Sequence, residues 1–381
     1  MQRDEAWALI RRIYAAAGRR DATAIGEMYA EDAVAISPVF GEIRGRAAIA
    51  RSWATLFSMF SDIALDIGDV LADGDRIAML GRVRSTDRVG WFGLPPTGSP
   101  IDYRMAMLLT VAGGKIVRDE RMYDSAGVVE RLEKARVDKE LQTAAVVQRA
   151  LLSRTAHVNA SSESIGDSLP CRAIGGDFFE FIDLPGGDVA IAMGDVAGKG
   201  PAAALLASML QGMIAADGSI GDGAAATLGR VNRRLAARQL DARFVTLVYA
   251  VLSPDGRLTY SNAGHNAPAV VTRGGIRRLS AGGPILGAFP YLTFDEERLQ
   301  LAANDTIVMF TDGVTEARNP AGEEFGEERL LASLSRAPDS TPGRVLRLVF
   351  EAVKEFCGQA EQSDDITVTV TRHGGRGDQM Q

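Results

Sequence analysis

Four apolar runs in the second half of the chain each begin or end at an aspartate, and this pattern narrows the possible folds more than any other feature. "VAIAMGD" and "TIVMFTDG" end in or just past Asp195 and Asp312, while "GGDFFEFI" starts at Asp177 and "DDITVTV" at Asp364 and Asp365. Runs this apolar read as strands buried in a core. A buried strand that stops in a carboxylate puts an acid at the rim of that core, where it needs hydrogen bonds, a cation or a metal. Gly175, Gly176, Gly194 and Gly313 allow backbone and ions to come close. A single Asp-Gly pair is usually a plain turn; four acids on strand ends in one region are a pattern. Converging carboxylates without His or Cys favour a hard, oxygen-seeking cation such as Mg2+ or Mn2+. The turn in "AMGDVAGKGP" is not a phosphate loop. That loop needs G-x-x-x-x-G-K-[ST], whereas Gly194 to Gly198 is one residue too short and Gly200 stands where the hydroxyl should be.

At 381 residues the chain has room for two domains of roughly 100–200 residues each. With 46% apolar and 24% charged residues it has ordinary globular composition. Two cysteines, Cys171 and Cys357, cannot build a disulfide framework, and three histidines, His157, His265 and His373, leave little for a zinc site. The net charge of −7 argues against nucleic acid as a partner. The longest apolar stretch, Ala202 to Ala216, contains Gln211 and is too short to span a bilayer. "MQRDEAWALI" carries acids where a signal peptide needs a basic start. These features lead us to expect a cytoplasmic protein without a membrane partner.

Residues 1–124 read as an α+β unit. A helix with Ala6, Leu9, Ile13 and Ala17 in phase stops at Gly18, a short helix ends at Tyr29, and a third runs through "RAAIARSWATLFSMF". Four strands follow, joined by turns such as "DGD" and "AGGK", as a curved antiparallel sheet folded over the helices. Residues 125–153 read as one linker helix. Leu132, Leu141, Ala145, Gln148 and Leu152 are taken as one face that pairs with its copy in a homodimer, because charges flank it. From residue 154 to 373, strand pairs alternate with pairs of helices, which suggests two sheets between helix layers. Residues 374–381 read as a disordered tail.

The motifs "AIGGDFFEF", "GDVAGKGPAAALL", "YSNAGHNAPAVV", "GGPILGAF", "VMFTDGVTEARN" and "QSDDITVTV" occur in one order. In this they resemble the SpoIIE/RsbU-like branch of PP2C (PPM-type) serine/threonine protein phosphatases, over about residues 140–372. The resemblance implies an αββα sandwich holding two Mn2+ or Mg2+ ions bridged by a water. Carried over by motif, Asp195 bridges both ions and Val196 offers its backbone carbonyl to one. Asp177 binds one ion, Asp312 and Asp364 bind the other, and Asp365 orients the site from behind. The implied substrate is a phosphorylated protein of the anti-sigma factor antagonist type. Eukaryotic relatives have a histidine in the loop that reads "GDVAGKG" here, so leaving-group protonation is unassigned and water can serve. Arg172 can touch phosphate but reads more simply as a surface arginine, His265 as a turn residue and Lys199 as a solvated loop residue.

"RDATAIGEMYAEDAVAI", "GEIRGRAAIARSW" and "AGGKIVRDERMYD" resemble the SnoaL-like group of the NTF2-like superfamily. That implies a cone-shaped sheet around a cavity for a small molecule, with Trp53, Phe57, Trp91, Phe92, Met105, Met107 and Tyr123 as its candidate lining. Asp119 and Asp124 are candidate acid–base groups there, although this fold does not by itself give a function. Two other readings stay open: a non-catalytic signalling scaffold, and a bifunctional protein whose first domain is a cyclase or isomerase.

Overall fold

The structure, a computed structural model, divides into two units, Met1–Glu140 and Leu141–Gln381, with the boundary inside the segment read as a linker. Residues 3–91, 93–151, 155–238, 244–337 and 340–374 are described. The expected tail beyond residue 374, together with Phe92 and Leu152, lies outside them.

In the first unit the helix Arg3–Gly18 buries Ala6, Leu9, Ile10, Ile13, Ala16 and Ala17, one apolar stripe at helical spacing. Asp21 caps the short helix Ala22–Gly26 by accepting the Ala24 N–H at 2.9 Å. That helix stops before Tyr29, which instead opens the strand Tyr29–Ser37. The exposed Glu31 and Asp32 interrupt its alternation, so its period is visible only from Ala33 onward. The sheet runs Gly41–Arg44, Tyr29–Ser37, Lys115–Met122, Pro100–Ala112, Arg76–Thr86, Ala64–Asp73. The last four strands form the expected antiparallel meander. Tyr29–Ser37 joins it in parallel, beside Lys115–Met122.

A charged cluster sits inside this unit. The Asp119 side chain is 0% exposed, and its Oδ2 accepts from the Tyr29 hydroxyl and the Arg121 Nη2, each at 2.7 Å. The Arg121 guanidinium stacks 4.5 Å from the Trp53 ring centroid. Removing one partner of a buried ion pair leaves the other charge uncompensated, typically at about 3–5 kcal/mol. Arg121→Met is therefore expected to lower the urea midpoint of the first unit. Trp7, Trp53 and Trp91 are the chain's 3 tryptophans, so their fluorescence reports that unit selectively. An unchanged midpoint would show that the pair carries no stability.

The linker is a helix, Ser125–Leu151, whose N-terminus is capped by Asp124 through the Gly127 N–H at 2.9 Å. The face expected to form a dimer seam is used within the chain instead. Val128 and Leu132 pack with Phe60, Trp91 and Ile101 in the first unit. Leu141 and Ala145 pack with Ile174 and Ala204 in the second. Leu132 and Leu141 are nine residues apart, about half a turn out of phase at roughly 100° per residue, so they cannot share one stripe.

The second unit is an αββα sandwich. One sheet is ordered Gly282–Gly283, Arg257–Ala263, Val245–Leu252, Val189–Val196, Phe178–Asp183, with Glu297–Gln300 also paired to Arg257–Ala263. The other is ordered Gly275–Arg278, Ala269–Thr272, Thr306–Phe310, Ile366–His373, Ser162–Leu169, Ala156–Val158. Alternate residues of one strand serve two cores, which is why the runs are apolar throughout. Ala190 and Ala192 face the helices Pro201–Gly218 and Ala224–Ala236, whereas Ile191 and Met193 join the layer between the sheets. Likewise Ile307 and Met309 lie between the sheets, and Val308 and Phe310 face the helices Gly326–Leu334 and Pro342–Cys357. Cys171 and Cys357 are free thiols. Among the described residues no helix is long and apolar enough to cross a membrane.

Candidate metal centre at the strand ends

Packing the two sheets face to face brings strand ends from both of them together, and the predicted acids with them. Asp177 immediately precedes Phe178–Asp183, and Asp195 is the penultimate residue of Val189–Val196. Asp312 opens the short helix Asp312–Thr315 after Thr306–Phe310, and Asp364 and Asp365 lead into Ile366–His373. Glycine is required where these segments close on each other. A Cβ on Gly313 would lie 2.0 Å from the Asp365 carbonyl oxygen, and one on Gly175 would lie 2.5 Å from Asp365 Oδ2.

Two acids are held by the backbone and hydroxyls around them. Asp365 Oδ1 accepts the Cys171 N–H and its Oδ2 accepts the Gly176 N–H, each at 2.8 Å. Both oxygens are thereby engaged, which suits the orienting role expected of it. Asp177, 4% exposed, accepts from the Thr311 hydroxyl at 2.7 Å, and that hydroxyl in turn accepts the Thr367 N–H at 3.1 Å. The Val196 carbonyl faces the Gly176 backbone: a Cβ there would approach it to 2.9 Å.

Electrostatics single out three of the carboxylates. Burial, then the charges of Asp312 and Asp364, push Asp195 up to about 7. Burial and the neighbouring Asp195 raise Asp177 well above the usual carboxylate range, and burial with Asp364 raises Asp312. Like-charge crowding among oxygen donors is relieved by a hard divalent cation, so this donor set fits Mg2+ or Mn2+. Among the described residues, the tight trio of ligand-type atoms is a different one, Cys171, Asp364 and Asp365, all within 4.8 Å of one another. Its thiol is pushed up to about 11 by burial and by Asp365, and sulfur is a soft donor ill matched to hard Mg2+ or Mn2+.

Of the basic residues near the acids, Lys199 departs from its sequence reading, whereas Arg172 and His265 follow theirs. Lys199, expected to be solvated, has its Nζ 2.8 Å from Asp364 Oδ2 and also donates to the Ser363 carbonyl. Arg172 is exposed, with its guanidinium beside Gly200. His265 is the turn residue expected: the Asn262 amide bonds its N–H at 2.7 Å and its carbonyl at 2.9 Å. Its Nδ1 meets the hydroxyl of Thr246, the residue paired with Asp195 across the sheet, at 2.8 Å. Sequence reasoning missed Thr311, although its place before Asp312 in "FTDG" was the available signal. It also missed what Gln148 does. The Gln148 side-chain amide donates to the Gly175 carbonyl at 2.8 Å and accepts the Gly175 N–H at 3.2 Å, two residues before Asp177.

The candidate lining of the first unit is distributed. Trp53, Met105 and Tyr123 line a cavity of about 30 Å3. Phe57 and Met107 belong to the main core, and Trp91 packs beneath the linker helix. Asp119 is paired with Tyr29 and Arg121, and Asp124 caps the linker helix.

Comparison with known proteins bears on the fold and the family. The SiaA-PP2C domain of Pseudomonas aeruginosa superposes with a TM-score of 0.53 at 22% identity, covering 63% of this chain and 97% of that domain, and so shares the PP2C fold. Residues 185–374 match the family model of Stage II sporulation protein E (SpoIIE), and residues 10–119 match that of the SnoaL-like domain. Phosphoserine phosphatase RsbU of Bacillus subtilis (strain 168) is 30% identical over 250 residues, 62% of this chain and 70% of RsbU. Protein IcfG of Synechocystis sp. is 29% identical over 228 residues, 52% of this chain, and the chain spans only 36% of IcfG. The chain belongs to the SpoIIE family of PP2C-type phosphatases, with a SnoaL-like domain ahead of the phosphatase domain.

The raised acids set a pH dependence. A carboxyl whose folded pKa lies above its unfolded value of about 3.9 binds more protons when folded, so its contribution to stability is lost as pH rises toward the folded value. For Asp195 that window closes at about 7. The thermal midpoint of chelator-treated protein should therefore fall from about pH 5 to about pH 8, and Mn2+ should raise it more at the higher pH. Asp195→Asn should flatten the slope; a midpoint independent of pH in that range would refute the crowding.

Proposed function

We propose that the chain is a metal-dependent protein serine/threonine phosphatase acting on a phosphorylated protein, of the anti-sigma factor antagonist type. The observation that carries this is the convergence of Asp177, Asp195, Asp312 and Asp364 from strand ends of both sheets, with three of them driven upward in pKa. In this reading Asp195 and Asp177 would hold one Mn2+ or Mg2+ ion and Asp195, Asp312 and Asp364 a second, with the Val196 carbonyl offered to one of them. Bound there, the ions supply an activated water and neutralise phosphoryl oxygens. The residues around them position and screen. Thr311 fixes Asp177, Asp365 ties Gly176 and Cys171 into the loop, and Lys199 balances Asp364. Arg172, exposed beside Gly200, is free to meet a phosphate oxygen.

No histidine serves as a general acid in this reading. Burial pushes His265 down to about 4, so it is neutral near pH 7; His157 pairs with Asp183 at 2.6 Å, and His373 with the Ser161 carbonyl at 3.2 Å. Water protonates the leaving alkoxide. The test is phosphate release from p-nitrophenyl phosphate and from a phosphoserine peptide with Mn2+. Asp195→Ala and Asp312→Ala should fall below about 1% of wild-type turnover while staying folded. A folded variant with near wild-type turnover would sink the assignment, and inactive wild type would favour the scaffold reading.

The first unit acts in this scheme as a regulator. A cyclase or isomerase role loses support because Asp119 and Asp124 are engaged structurally and the cavity is small. Regulation through the linker helix is supported by its two ends: Val128 and Leu132 lie in the core of the first unit, and Gln148 holds the backbone beside Asp177. The homodimer pairs through the exposed Val137, Ala144, Val147 and Leu151, at steps of seven, three and four. Val147→Glu with Leu151→Glu should shift sedimentation from dimer to monomer and change turnover several-fold. Unchanged mass and turnover would rule out both the seam and its regulatory role.

A further inference from the structure

Beside the acidic centre lies a groove of about 460 Å3 that the chemistry above leaves unused. One wall is the helix Pro342–Cys357, which contributes Leu346, Phe350 and Val353; Leu169, Ala360 and Ile366 complete an apolar lining. Arg318, Arg347 and Lys354 stand on its rim among acids. Asp364 and Gly313 line it as well, so the groove is continuous with the candidate metal centre. Gln362 fastens the two together: its Nε2 donates to the Leu169 carbonyl in the groove wall and to the Asp364 carbonyl, each at 2.7 Å.

A phosphoryl group is polar on every side and has no use for an apolar trench. The residues next to a phosphoserine do, and a groove of this size falls within the range of roughly 300–1,000 Å3 typical of ligand sites. We propose that the groove is a specificity site that binds apolar residues flanking the phosphoserine of the protein substrate, laid in as an extended segment. The occupant is argued from position, because a chain whose phosphate reaches Asp364 has Gly313 and Leu169 of the groove lining beside it. This inference rests on the phosphatase reading.

Two phosphoserine peptides of equal length and charge, one with Leu and Val around the phosphoserine and one with Ser and Gly, are compared with p-nitrophenyl phosphate. The apolar peptide should be preferred in kcat/KM by roughly tenfold or more, since each tenfold step needs only about 1.4 kcal/mol. Leu169→Glu charges a groove side chain that is 46% exposed, so the fold has little to lose, and Ala360→Trp fills the trench by bulk. Both should abolish the preference while leaving p-nitrophenyl phosphate turnover within about twofold of wild type. Equal kcat/KM for the two peptides in wild type, or a preference that survives both substitutions, overturns the groove and leaves the phosphatase reading intact. Loss of p-nitrophenyl phosphate turnover in parallel with the peptides also overturns it. If Leu169→Glu lowers the oligomeric mass and spares the preference, the groove belongs to a second copy instead. Wild type inert toward all three substrates with Mn2+ removes the phosphatase reading and the groove proposal together.

Discussion

Like charges forced together at the edge of a core are the constraint around which the second unit is organised. Asp177, Asp195, Asp312 and Asp364 repel one another, and burial removes the water that would soften the repulsion. The fold answers with donors placed from distant parts of the chain. Thr311 reaches Asp177 across 134 positions of sequence, the Gly176 N–H reaches Asp365 across 189, and Lys199 sits against Asp364. None of these bonds forms unless both sheets are already packed, so the acidic rim depends on the core of Phe179, Ile191, Met193, Ile307 and Met309 between the sheets. The core and the chemistry are one construction, because the strands that fill the first also aim the second.

The acids were legible in the sequence because a strand end is a local pattern: an apolar run, a small residue, an aspartate. Their partners were not, because nothing local marks Thr311 or the Cys171 N–H as a donor to a carboxylate far along the chain. The αββα layering was legible from the continuous apolar runs and paired helices. The strand Tyr29–Ser37 was missed because exposed Glu31 and Asp32 break its period, and the parallel pairing that admits it to the sheet is not a neighbour relation in sequence. The helix Ser125–Leu151 was found, yet its buried face was misjudged, since stepping by sevens and fours conceals a nine-residue gap that reverses the phase. The aromatic residues assigned to a cavity lining were correctly apolar. Composition does not say whether such residues enclose space or fill it, and about 30 Å3 is what remains beside Trp53, Met105 and Tyr123.

In the first unit a different electrostatic solution appears. Asp119 and Arg121 are placed two residues apart on one strand and neutralise each other inside the sheet, with Tyr29 as donor and Trp53 as a flat surface for the guanidinium. There the charges are complementary and close their own account, whereas the acids at the strand ends of the second unit invite an external cation.

The linker helix has a consequence for how such chains can be recombined. Its residues 128 and 132 belong to one core and its residues 141, 145 and 148 to the neighbourhood of Gly175, on faces roughly opposite around the helix axis. Each residue inserted between them turns one face about 100° against the other, so the segment has a reading frame in the mechanical sense. Additions of seven or eleven residues nearly restore the angle, while one or two scramble it. Linker length in such a chain is thus constrained by helical pitch rather than by reach.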